Sequence, residues 1–298
     1  MNAYAPIAVG EAPDYAGLTV TPAGPVLGAE ISGLDLTRPL EPEIVAAIRA
    51  ALLRHKVVFF RDQDISHEDH VRFGRYFGDL EGHPVTAHVP GFPEILHIEA
   101  ADGMKLREAI VPIVRAANKW HTDVTFRPAP SMGGVLRART LPPSGGDTLF
   151  ADTAAIYADL PQPLKDKLAG LSAEHDILQS YGYRIDEAKR QELRAAYPPQ
   201  AHPVVRTHPE TGEPHLFVNK VFTTRILGLP DDEAASLLAE LLDRVKAPEY
   251  QVRFRWSENA IVFWDNRATQ HYAVLDYWPV ERVVERVTIK GDAPYFQA

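Results

Sequence analysis

The sequence predicts an α+β fold with a double-stranded β-helix (jelly-roll) core and flanking helices. Three observations lead there. Two helical patterns come early and a long β-rich remainder follows, which favours one domain over two. Segment 250–256 alternates, with Val252, Phe254 and Trp256 on one side and Arg253 and Arg255 on the other. Segment 281–289 alternates as well: Val283, Val287 and Ile289, with Glu285 among them, oppose Arg282, Val284, Arg286 and Thr288. The chain has 298 residues and 45% apolar composition, compatible with one β-rich domain over 1–298 and a large core.

The elements follow in order. Residues 1–17 hold scattered Pro and Gly and no apolar signal core, and read as a loose arm. Short strands are expected at 18–20 and from Val26 on, with turns at Gly24 and Gly33. Pro42–His55 is an amphipathic helix with Ile44, Ala47, Ile48, Ala51 and Leu52 on one stripe. Val57–Phe60 is a buried strand, and a second helix over 66–77 starts at Ser66 as N-cap. Stretch 83–119 is irregular and is expected to cover a site, as long connections in compact domains often do. Strands are expected at 132–136 and 148–150, separated by the turn cluster Pro142-Pro143-Ser144-Gly145-Gly146. Helices follow at 163–171 with Pro at its start, at 185–196, and at 231–245 with Leu237, Leu238, Leu241, Leu242 and Val245 inward. Residues 209–214 form a hairpin turn, and 260–264 a buried strand.

Composition narrows the function. The formal charge is −9 with both signs dispersed, so no basic footprint for nucleic acid exists. There are no cysteines, which removes disulfides and thiolate metal sites and fits a cytoplasmic protein. No apolar run approaches the ~20 residues needed to span a bilayer.

Trp120-His121-Thr122-Asp123-Val124-Thr125-Phe126 is rich in β-branched and aromatic residues and is expected to be extended. A strand would put His121 and Asp123 on one side, which is half of a divalent-metal site. A second His would complete a 2-His-1-carboxylate triad suited to Fe(II). His67-Glu68-Asp69 repeats the triplet on a helix, where residues two apart diverge, so it is expected to be solvated surface. His271 follows the strand break Asp265-Asn266-Arg267. Arg282 and Arg286 share a strand face, with Cα atoms ~13 Å apart at ~3.3 Å per residue. Two guanidinium forks on one wall can hold two separate anions.

The motifs Trp120-His121-Thr122-Asp123-Val124-Thr125-Phe126, Gly145-Gly146-Asp147-Thr148-Leu149 and Trp264-Asp265-Asn266-Arg267-Ala268-Thr269-Gln270-His271-Tyr272, with Arg282 and Arg286, resemble the taurine dioxygenase (TauD/TfdA) family of Fe(II)/2-oxoglutarate oxygenases. The likeness runs from about Leu18 to Tyr295 and carries most of the weight for the jelly roll. It implies iron, Fe(2+), on His121, Asp123 and His271, with 2-oxoglutarate and O2 as cosubstrates. Thr148 and Arg282 would bind the far carboxylate of 2-oxoglutarate. His83 and Arg286 would bind the sulfonate of a small anionic substrate, with the Val124 N–H, Phe222 and Tyr181 beside it. It also implies a homo-oligomer, a dimer or tetramer. Ala117 and Thr86 stand where taurine enzymes carry an asparagine and a tyrosine, and Tyr181 replaces a phenylalanine. The sulfonate end is thus kept while the amine-reading end is altered. A sulfonate such as taurine is expected as substrate, with an alkyl sulfate as the alternative. A metal-dependent hydrolase and a silent anion-binding protein on the same scaffold are the rivals, and the hydrolase has no need for Arg282 at that offset.

Overall fold

The computed structural model describes residues 14–83, 87–100, 117–182, 185–277 and 280–297. Residues 1–13 of the expected arm and residues 84–86 and 101–116 of the expected cover lie outside these.

The largest sheet runs in the order Thr19–Pro22, Ala29–Ser32, Val57–Phe60, Ile261–Asp265, Gly133–Thr140, Arg282–Ile289, Phe92–Ala100, His88–Val89, with Leu80–Glu81 also pairing to Arg282–Ile289. A three-stranded sheet, Gln251–Phe254, Thr148–Asp152, Thr269–Ala273, faces it. The fold is a jelly roll with helices on its flanks, as expected. A further sheet, Gln200–Pro203, Ser172–His175, Thr223–Ile226, and the hairpin Val205–Thr207 with Pro214–Leu216 are separate from these two.

The helix Pro42–His55 begins with Pro at its first turn and ends at Lys56, whose φ of 65° is left-handed. It buries Ala47, Ile48, Ala51 and Leu52 against the outer face of the large sheet. There, Val58, Phe60, Val135, Ile261, Phe263, Val287 and Ile289 form one core with the helix His67–Arg75. That second helix opens on a capping box between Ser66 and Asp69, so the triplet His67-Glu68-Asp69 is helical. His67 bonds Glu285 rather than facing Asp69. The helix Asp231–Arg244 packs Leu237, Leu238 and Leu241 into a separate core around Val204, Val205 and Leu216.

Two expectations are corrected. Phe92–Ala100, inside the expected cover, is a nine-residue strand paired to Arg282–Ile289. Ile95 faces the core while Leu96 and Ile98 line the cavity described below. Residues 123–126 are not extended; they form a turn, and only His121 makes a strand-like bridge, to His271.

Candidate active site

His121 and His271 come from segments far apart in sequence, joined by reciprocal backbone hydrogen bonds. His121 N donates to His271 O at 3.1 Å, and His271 N donates to His121 O at 2.8 Å. This sets the two imidazoles side by side, ring centroids 4.1 Å apart. Asp123 joins them by a different route from strand alternation. Asn266 clips its backbone, with Asp123 N donating to Asn266 Oδ1 at 2.8 Å and Asn266 Nδ2 donating to Asp123 O at 3.1 Å. The next residue, Val124, takes φ +48°, a left-handed conformation that costs a β-branched side chain energy and needs such anchoring. Arg127 N closes the turn onto Val124 O at 3.0 Å. The loop carrying Asn266 is itself pinned. Arg267 pairs with Asp265 through two hydrogen bonds of 2.9 and 2.7 Å, and His208 bonds the same carboxylate at 3.0 Å.

The ligand atoms of His121, Asp123 and His271 all lie within 4.8 Å of one another. His121 Nδ1 lies 2.7 Å from Lys119 O, so that nitrogen carries the proton and Nε2 keeps its lone pair for the cluster. Each imidazole Nε2 sits 3.8 Å from an Asp123 oxygen, room for an ion between them. Burial pushes both imidazoles below their ordinary pKa; Asp123 opposes this for His121, and His121 adds to it for His271. Burial would raise the Asp123 carboxyl, but Arg286, His271 and His121 outweigh it and hold the group well below the usual carboxylate range. Two neutral nitrogens and one ionised carboxylate are the donor set that Fe(II) accepts with coordination positions left open.

The cluster opens into a cavity between the two facing sheets. It is lined by every residue singled out from the sequence: His83, His121, Asp123, Val124, Thr148, Tyr181, Phe222, His271, Arg282 and Arg286. Arg282 and Arg286 do share a face of Arg282–Ile289, with Val284 between them. Arg282 is buried with no carboxylate in ion-pair range among the described residues. Its guanidinium lies 5.8 Å from the Trp256 ring and 5.7 Å from the Tyr277 ring, and its Nε has no partner. Burial lowers its pKa, partly offset by Tyr277. Tyr277 hydrogen-bonds the guanidinium and Asp147 acts on it from a distance, but a buried cation with no carboxylate in contact is costly, and such a group could hold an anion entering the cavity. Gly146, at φ +73°, lets the backbone pass close by; a Cβ there would sit 3.1 Å from Arg282 Cδ and Nε. Arg286 is different: its Nη1 contacts Asp123 Oδ2 at 2.5 Å. His83 lies 5.9 Å from Tyr181 between ring centroids, and burial, then Arg286, depress its pKa to about 3. Tyr181 stacks on Phe222 at 6.4 Å, and burial raises its phenol. Ala117 also lines the cavity; Thr86 lies outside the described residues.

Several residues that shape the site were not singled out from sequence. Asn266 sat in what read as a strand break. Trp256 and Tyr277 read as an inward strand residue and turn material, and Leu96 and Ile98 lay in the stretch read as irregular.

Comparison with known proteins agrees with this geometry. Residues 19–288 match the profile of the taurine catabolism dioxygenase TauD, TfdA family. An alpha-ketoglutarate-dependent sulfate ester dioxygenase of Pseudomonas putida is 39% identical over 295 residues, 96% of this chain and 94% of that protein. An alkylsulfatase of Acinetobacter baylyi is 37% identical over 275 residues, 89% of this chain and 83% of that one. The crystal structure of a taurine dioxygenase from Burkholderia xenovorans superposes with a TM-score of 0.78 at 40% identity, covering 93% of this chain and 90% of that one. No helix among the described residues is long and apolar enough to cross a membrane. The chain therefore belongs to the TauD/TfdA family and is a 2-oxoglutarate-dependent dioxygenase that works with Fe(II) and O2 on a small molecule.

Proposed function

We propose that the substrate is a small organosulfur anion with an uncharged carbon chain, a sulfate ester foremost, oxidised at the carbon that bears the sulfur group. The observation that carries this is the cavity lining. Among its described residues Asp123 is the sole carboxylate, and the walls beside it are Leu96, Ile98, Ala117, Val124, Val221 and Phe222. Such a lining accepts an apolar chain and offers an ammonium group no carboxylate besides the candidate metal ligand Asp123, and an unpaired buried charge is expensive. The two relatives that are 39% and 37% identical, a sulfate ester dioxygenase and an alkylsulfatase, support the same reading. The taurine dioxygenase neighbour keeps an alkanesulfonate as the second reading, since His83 and Arg286 suit either head group.

On this reading His121, Asp123 and His271 hold the iron, and Arg282 with Thr148 holds the far carboxylate of 2-oxoglutarate. When bound, iron with 2-oxoglutarate and O2 supplies C–H hydroxylation coupled to decarboxylation of 2-oxoglutarate to succinate and CO2. Arg286, His83 and the Val124 N–H fix the anionic head, and Phe222 and Tyr181 flank the chain, so one carbon is presented for oxidation. From a sulfate ester the hydroxylated carbon bears both OH and sulfate; it collapses to an aldehyde and releases bisulfate. From a sulfonate the same collapse releases sulfite. His83 is neutral at working pH and contributes a hydrogen bond rather than charge, leaving Arg286 as the cation for the head group. The family likeness supports a homo-oligomer, which light scattering reads directly, and the cysteine-free composition supports a cytoplasmic location.

The test is turnover of hexyl sulfate, hexanesulfonate and taurine with succinate, sulfate and sulfite measured together. The expected result is the highest kcat/KM on hexyl sulfate, with sulfate equal to succinate. Taurine as the best substrate would overturn the uncharged-chain reading. Absence of sulfate and sulfite from all three would overturn the head-group assignment, and sulfate release without 2-oxoglutarate would point to a hydrolase.

A further inference from the structure

We propose that Trp256 is a positioning residue for 2-oxoglutarate, occupying a lone pair of the Thr148 hydroxyl so that the hydroxyl proton is turned into the cavity. The inference rests on the reading that Thr148 and Arg282 hold the far carboxylate. Trp256 Nε1 donates to Thr148 Oγ1 at 3.0 Å, and both residues are buried. An indole N–H is a donor and nothing else, whereas a threonine hydroxyl has one proton and two lone pairs. With one lone pair occupied by Trp256, and no other hydrogen bond to Oγ1 among the described residues, the proton is left for the cavity that Thr148 lines. A carboxylate is an acceptor at every position, so a hydroxyl whose proton faces the cavity matches it.

The indole is well held for this. Phe254 lies opposite Thr148 in the strand register, and Trp256 follows just past that strand's end. Its ring stands edge-on to Phe254, centroids 5.1 Å apart and planes at 84°. The ring also lies 5.8 Å from the Arg282 guanidinium, so a single side chain touches both groups assigned to the carboxylate. The cation is thereby shielded from water by an aromatic ring without being neutralised, which keeps its charge available to the cosubstrate.

The experiment compares Trp256→Phe, Thr148→Val and the double variant. It measures KM for 2-oxoglutarate, kcat at saturation, and the affinity of the Mn(II)-loaded protein for 2-oxoglutarate by calorimetry. Trp256→Phe is expected to weaken 2-oxoglutarate about five- to tenfold in both measures, the scale of one neutral hydrogen bond. Its kcat and its KM for the organosulfur substrate should change less than about twofold, and the substitution should add little once Thr148 is Val. Should Trp256→Phe disturb folding, replacing Trp256 with 3-benzothienylalanine removes the N–H alone and keeps the ring shape. Unchanged 2-oxoglutarate affinity in that protein, or an equal loss in the Thr148→Val background, overturns the proposal. If Thr148→Val itself leaves affinity untouched, the assignment of the far carboxylate fails, and the role of Trp256 fails with it.

Discussion

Arg282 and Arg286 stand four residues apart on one strand face and line one cavity, yet their surroundings are opposite. Arg282 lies among aromatic rings with no carboxylate in range among the described residues. Arg286 already contacts Asp123, a candidate iron ligand. The first position is a cation met by the Tyr277 phenol but by no carboxylate; the second is a cation already engaged by the Asp123 carboxylate. The difference teaches that a cavity binding two anions need not bind them alike. On the proposed reading one would be held by a cation with no carboxylate in contact, and the other would draw on a guanidinium that also contacts the metal-site carboxylate.

The sharpest way to break this contrast is Arg282→Met. It should raise KM for 2-oxoglutarate by about 100-fold, in the range of 2–5 kcal/mol for truncating one half of a buried charge pair. In the absence of 2-oxoglutarate, thermal denaturation should show the variant at least as stable as the parent, because a buried unpaired charge has gone. Arg286→Gln should behave in the reverse way. The organosulfur KM should rise roughly tenfold, about 1.4 kcal/mol at least for a charge-assisted pair. The melting temperature should fall, since Asp123 is left buried without its cation. Without substrate, Mn(II) should bind a few-fold more tightly by calorimetry, because the carboxylate no longer divides its charge between two cations. Equal effects of the two substitutions on stability would erase the distinction drawn here.

Asn266→Ala separates the backbone support of Asp123 from its side-chain support. Losing the two-point clip should cost about 2 kcal/mol of stability and weaken Mn(II) several-fold while leaving the 2-oxoglutarate KM nearly unchanged. The smallest effect concerns His83. Its pKa is depressed to about 3 in the folded protein, so the ring binds no proton between pH 6 and 8. The organosulfur KM should therefore be flat across that window. A KM that rises with pH through the ordinary histidine range would show that His83 carries charge to the head group after all. For stability the sign is the usual one for a buried neutral histidine. The unfolded chain binds the proton first, so the contribution is complete above about pH 6.5 and is lost as pH falls toward the folded value.

The parts of the fold with a single dominant period were legible in the sequence. The helix Pro42–His55 and the strand Arg282–Ile289 show their faces in the spacing of Ile48 and Leu52, and of Arg282, Val284 and Arg286. Phe92–Ala100 was hidden because both of its faces are covered, Ile95 by the core and Leu96 and Ile98 by the cavity, so no clean alternation survives among its polar neighbours. Residues 121–126 misled in another way. Their composition favours a strand, but two hydrogen bonds between Asp123 and Asn266, far along the chain, hold a turn that local propensity opposes. His121 and Asp123 do point to one place, as expected, but by way of a turn rather than strand alternation. The hydrogen bond from Trp256 to Thr148 depends on the register of two strands, which single residues do not announce.

The backbone bridge between His121 and His271 has a consequence for how the protein is made. About 150 residues separate the two, and at roughly 5–20 residues per second a ribosome needs about eight to thirty seconds to cover that distance. Through that interval the nascent polypeptide owns two thirds of an iron site and nothing to complete it. The oxidising power of the finished enzyme is thus withheld until the scaffold that must contain it has been synthesised.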